Sequence, residues 1–119
     1  GSFAGISFQQ GVEGMYSNRW LSVIQIDSEV AGVSYKDLMA VLLKDNIESR
    51  PVWKPMHLQP VFKDCPYYGN QVAEELFNNG LCLPSGSNMT DDDLIRVSSL
   101  LIEAIVNQTP SDVKVHQDV

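Results

Sequence analysis

The thirteen residues from Arg50 to Phe62 read RPVWKPMHLQPVF and hold three prolines, Pro51, Pro55 and Pro60. Each ring fixes its own φ and removes a backbone donor, so neither a helix nor a central strand runs through the segment. It is no ordinary solvated loop either, because Val52, Trp53, Met56, Leu58, Val61 and Phe62 are apolar. Regular structure has to form before and after this stiff connection. At its start, Glu48–Trp53 reads as a full or partial strand, which Pro51 places at a sheet edge or ends there.

On the N-terminal side, residues 3–18 carry Gly5, Gly11 and Gly14 among scattered apolar residues and read as an extended lead-in. Arg19–Asp27, RWLSVIQID, is short, rich in β-branched and aromatic residues, and predicts a strand. Ser34 followed by Asp37 is a capping-box variant. Leu38, Val41 and Leu42 form the apolar stripe of the helix it opens, and Asn46 is its expected stop.

On the C-terminal side, Asn70 is expected to cap a helix through Asn79, with Gly80 in the C′ position. Leu81-Cys82-Leu83 reads as a very short strand ended by Pro84. Thr90, with Asp93 three residues on, caps the longest helix, whose buried face is expected to be Leu94, Val97, Leu101 and Ile105. The order β-α-β-loop-α-β-α predicts an α+β domain of two layers, a short few-stranded sheet with helices packed on one face. Residues 1–2 read as a tag remnant, 3–109 as the domain and 110–119 as a flexible tail.

Composition bounds the function. A chain of 119 residues, 44% of them hydrophobic, buries roughly two-thirds of its unfolded surface, enough for one core. Eight basic against fifteen acidic residues give a net charge of −7, which argues against nucleic acid and against anionic membrane surfaces. No apolar run approaches the length of a spanning helix and no signal peptide opens the chain. Cys65, Cys82, His57 and His116 lack the paired spacing of a zinc site, so no metal is expected, and a reducing compartment is the simpler setting.

No nucleophile motif and no phosphate-binding loop is present. Pro84–Asn88 looks like a phosphate cradle, but Asp91, Asp92 and Asp93 follow it and would repel an anion there. Arg50–Phe62 is richer. Arg50, Trp53, Lys54 and His57 supply a planar cation, a stacking face, a point charge and a titratable ring, which together suit an anionic, ring-bearing ligand. On residue types alone the competing reading stays open: a surface loop whose Trp and Met cover the core while the cations stay solvated.

Three stretches carry a resemblance: SNRWL at 17–21, ESRPVWKPMHLQPVF at 48–62 and LCLPSGSNMTDDDL at 81–94. They resemble the C-terminal part of the DegT/DnrJ/EryC1/StrS family, pyridoxal-phosphate-dependent sugar aminotransferases of fold type I. The resemblance implies the small domain of a longer enzyme, usually a homodimer and cytoplasmic, with a missing N-terminal large domain as partner. That domain would carry pyridoxal phosphate and its lysine, leaving no cofactor expected on this chain and no catalytic residue within it. The resemblance further implies that Arg19, Trp53, Lys54 and His57 line or shape a nucleotide-sugar pocket. A dehydratase or regulatory member of the family, or a free-standing binding module, are the alternative readings.

Overall fold

The computed structural model describes residues 3–108, so the expectations for residues 1–2 and 110–119 lie outside the described residues. The centre is a four-stranded antiparallel sheet of order β1-β2-β4-β3: β1 is Ile6–Phe8, β2 is Ser22–Ile26, β3 is Arg50–Pro51 and β4 is Gly80–Leu83. The α+β class expected from the sequence is the one that forms.

Strand β2 is shorter than Arg19–Asp27. Arg19 has φ +47°, in the left-handed region, which breaks the extended run before Ser22. Along β2 every second residue faces inward, leaving Ile24 and Ile26 almost wholly buried. The lead-in is more than a connection, because it supplies β1, paired to β2 from Ile6↔Ile26 to Phe8↔Ile24. Strand β3 is an edge strand of two residues, as its proline requires.

Three of the four α-helices among the described residues follow the same logic of local caps and buried residues. The one-turn α1, Ser28–Ala31, is opened by the Asp27 carboxylate, which accepts from the N–H groups of Glu29 and Val30, and closed by Gly32 at φ +69°. In α2, Tyr35–Lys44, the capping box is complete: Ser34 Oγ accepts from the Asp37 N–H and Asp37 accepts from the Ser34 N–H. Its Leu38 and Leu42 are fully buried. In α4, Asp91–Gln108, Thr90 and Asp93 repeat the box. Hydrogen bonding to these caps holds the carboxyls of Asp37 and Asp93 below the usual aspartate range.

The core joins Ile24, Ile26 and Leu81 of the sheet to Ala31, Val33, Leu38, Leu42, Ile47, Leu101 and Ile105. Helices α2 and α4 pack on each other over this face. Val97 is half-buried beside them, but Leu94, expected in the stripe, is exposed. The first turn of α4 overhangs the core, and Asp91–Leu94 all face solvent.

Helix α3, Val72–Asn79, stands apart and has no buried residue. Asn70 Oδ1 accepts from the Val72 N–H, but the residue at the cap is Gln71. Gly80 is not the left-handed C′ residue expected: its φ of −97° and ψ of 140° are extended, and α3 runs straight into β4. Glycine is needed there for another reason. A Cβ at Gly80 would lie 2.4 Å from the Leu76 carbonyl oxygen and 2.7 Å from Gln25 Nε2, so α3 presses on the sheet face that Gln25 shares, away from the core.

Candidate functional site

An open cleft of about 1080 Å³ lies where the β3 edge, the β4–α4 turn and the first turn of α4 meet. Its walls include Trp20, Arg50, Trp53, Lys54, Ser85, Asp93 and Arg96. Local chemistry fixes the Trp20 side of it. The Asn18 side-chain oxygen accepts from the Trp20 N–H at 3.2 Å, an Asx turn. Ser85 Oγ accepts from the Ser22 N–H at 2.7 Å and donates to the Leu83 carbonyl at 2.8 Å, pinning the start of β2 to the β4–α4 turn. The opposite side is fixed by the prolines: Pro55 is buried, and the Gln59 amide donates to the Lys54 carbonyl at 3.3 Å.

The two tryptophans meet, with ring centroids 6.1 Å apart and planes at 35°. They are 72% and 65% exposed, which is unusual for the largest apolar side chains of a small domain. Residue types in the sequence point to Trp53 but not to Trp20. The signal was present in SNRWL, beside Arg19.

The charges of the cleft are mostly engaged. Glu48 Oε1 accepts from both Nε and Nη2 of Arg50. Arg96 donates to the Asp45 carbonyl, and Asp93 is held by the Thr90 N–H and hydroxyl. The carboxylate thus occupies the α4 N-terminus itself, in keeping with the rejection of a phosphate cradle there. Lys54 forms no ion pair among the described residues. In the same wall, the buried Ser49 Oγ has no hydrogen-bond partner among the described residues.

The four residues expected at a pocket therefore part company. Trp53 and Lys54 share the cleft. Arg19 lies in a separate groove of about 280 Å³ against residues of the lead-in, such as Phe8, Met15 and Tyr16. His57 points away from both. Its Nε2 is 2.8 Å from Glu74 Oε1 on α3, and its ring stacks on Tyr67 at 3.8 Å between centroids and 19° between planes. Tyr67 in turn donates to the Asn70 carbonyl at 2.6 Å. This clamp fastens the proline-rich segment to α3.

Among the described residues no group of three or more His, Cys, Asp or Glu is placed to hold a metal ion, and no helix is long and apolar enough to cross a membrane. The described residues do not fit pyridoxal phosphate either. A lysine that forms a Schiff base is activated by desolvation or by a neighbouring cation. Lys36, Lys44, Lys54 and Lys63 are all exposed, and no chemical step is assigned to them.

Comparison with known proteins accounts for the combination. Residues 2–102 match the DegT/DnrJ/EryC1/StrS aminotransferase family. Over 106 residues, 86% of the chain, it is 42% identical to the putative pyridoxal phosphate-dependent aminotransferase EpsN of Bacillus subtilis strain 168. Over 71 residues, 60% of the chain, it is 37% identical to GDP-perosamine synthase of Caulobacter vibrioides. The crystal structure of DesI with its TDP-sugar product superposes on 87% of the chain with a TM-score of 0.73 and 25% identity. The chain spans only 26%, 18% and 27% of the lengths of these three. With a family match over most of its length and the fold of a fold type I aminotransferase's smaller part, this chain belongs to the DegT/DnrJ/EryC1/StrS aminotransferase family.

Proposed function

We propose that the chain is the C-terminal small domain of a pyridoxal-phosphate-dependent aminotransferase that acts on a nucleotide-linked keto sugar. In this reading it caps the active-site cleft of the parent and supplies one wall of the substrate pocket. The large N-terminal domain of the parent holds the cofactor and its lysine, and the parent works as a cytoplasmic homodimer. The observation that carries the reading is the cleft wall of Trp20, Trp53 and Lys54: two exposed indoles beside a cation that has no ion pair among the described residues, in a chain of net charge −7. Support comes from the names of its relatives, one a GDP-perosamine synthase and one solved with a TDP-sugar product.

Of the four residues first placed at the pocket, Trp53 and Lys54 are proposed to face substrate. Arg19, in its own groove, is proposed to face the large domain or the far end of the ligand. His57 is proposed to shape the wall through Glu74 and Tyr67.

The test is amino transfer by the parent protein from glutamate to GDP-, TDP- and UDP-linked 4-keto sugars, followed as 2-oxoglutarate release and as product mass. Turnover on a nucleotide-linked keto sugar is expected. Turnover confined to simple keto acids would overturn the reading. In that enzyme Lys54→Ala is expected to raise KM with kcat little changed, because a charge beside a diphosphate acts in ground and transition states alike.

A further inference from the structure

The chain contains only two tryptophans, and although they lie in segments far apart in sequence, the fold brings them into contact at the mouth of one cleft. Neither is buried by this contact. Leaving two indoles in water forgoes the burial that normally stabilises them. Their positions are nonetheless built: Trp20 by the Asn18 turn and the Ser22–Ser85 bond, Trp53 by the flanking prolines. The rings are already in contact, with their planes at 35°, and both line the cleft.

The electrostatics beside this surface are specific. Glu48 and Asp93 are neutralised or hydrogen-bonded by Arg50 and Thr90, and Arg96 is turned to a backbone carbonyl. Among the described residues of this cleft Arg50 is ion-paired, whereas Arg96 and Lys54, the latter next in sequence to Trp53, are not. An aromatic surface flanked by a free positive charge matches a nucleobase joined to a diphosphate better than it matches a bare sugar. Stacking of a base on an aromatic side chain tolerates any base, because every base has a π-face.

We propose that Trp20 and Trp53 form a single platform on which the base of a nucleoside diphosphate stacks, with Lys54 paired to the diphosphate. This rests on the nucleotide-sugar reading above, but names the group recognised and adds Trp20 as a binding residue. The occupant's base is held from this domain, and the sugar extends away from the platform.

The 119-residue chain allows a direct test, because its two indole N–H signals in a ¹⁵N–¹H spectrum both belong to the platform. The probes are UDP, GDP, uridine, inorganic pyrophosphate and free glucose. UDP and GDP are expected to shift both indole signals along one saturation curve. Uridine should shift them with weaker affinity, whereas pyrophosphate and glucose should leave them in place. Trp20→Leu and Trp53→Leu should each weaken UDP binding at least about fivefold, as expected from the loss of about 1 kcal/mol of stacking. Both side chains are largely exposed, so the variants are expected to fold, with circular dichroism as the check. Lys54→Ala should weaken UDP but not uridine.

Indole shifts produced by glucose and not by uridine would overturn the proposal in favour of a sugar platform. Nucleotide binding that moves other resonances while both indoles stay fixed, or the absence of any saturable shift in a folded chain, would also overturn it. Either result would leave amino transfer by the parent, measured separately, untouched.

Discussion

The α2–α4 side of the molecule and its loop side, residues 9–20 with 53–68, are held in place by different means. On the first side Leu38, Leu42 and Leu81 are fully buried, and both helices are closed by reciprocal caps. On the second, Tyr16 is 97% and Tyr68 91% exposed, and shape comes from prolines, two 3₁₀ turns at Met56–Leu58 and Pro60–Phe62, and the His57–Glu74–Tyr67 clamp. The difference teaches that burial and local stiffness are separable. One half carries its own stability, while the other has its conformation prepared and its apolar surface still open.

The comparison breaks most readily through core and cleft truncations measured side by side. Leu38→Ala or Leu81→Ala is expected to cost about 2–5 kcal/mol, because each removes fully packed methyl groups and leaves a cavity. Trp53→Ala, although it deletes a far larger side chain, is expected to cost less than about 1 kcal/mol. Urea unfolding followed by circular dichroism measures both. Equal losses would mean that the loop side is part of the core.

A smaller effect sharpens the account of the helical side. Thr90→Ala removes one half of the α4 cap and is expected to cost about 1 kcal/mol near neutral pH. Asp37 and Asp93 titrate below their ordinary value of 3.8 in the fold, so their contribution is present above that value in the unfolded chain. It is lost as pH falls below 3.8 through the lower folded values. The penalty of Thr90→Ala should therefore shrink in that acid window, as seen in unfolding curves run from pH 5 downward.

The smallest effect lies between the two sides. Ser49 buries an unpartnered hydroxyl in the cleft wall, and its removal relieves a desolvation cost. Ser49→Ala is expected to leave stability unchanged or raise it by less than about 1 kcal/mol. A loss of more than that in the same urea experiment would show that the hydroxyl has a partner.

What could be read from the sequence divides along the same line. Strand β2, the helices opened by Ser34 and Thr90, the edge position forced by Pro51 and the Leu81–Leu83 strand were all legible, because each follows from chemistry within a few residues. Strand β1 was not. Its three residues show no alternation of their own, and it exists because β2 offers an edge to pair with. The Asp27 and Gly32 caps of α1 are legible in the same local way. Leu94 failed because the apolar period of a helix continues past the point where its partner ends.

At the site, residue types pointed to Trp53 and Lys54, which do share a cleft. They did not reveal that His57 would turn to Glu74, seventeen residues on, or that Trp20 would meet Trp53. Those are contacts between segments, and no local pattern encodes them.

The central claim, that the helical side stands by itself while the loop side awaits a covering surface, is tested most directly by amide hydrogen exchange on a monomeric sample of this chain. Amides of Leu94–Ile105 are expected to be protected close to the limit of global unfolding. Those from Lys54 to Tyr68, bonded only in short turns such as Leu58 to the Pro55 carbonyl and Phe62 to the Gln59 carbonyl, are expected to exchange at least about a hundredfold faster. Equal protection of the two segments would contradict the account, because the proline-rich segment would then belong to the domain's own core.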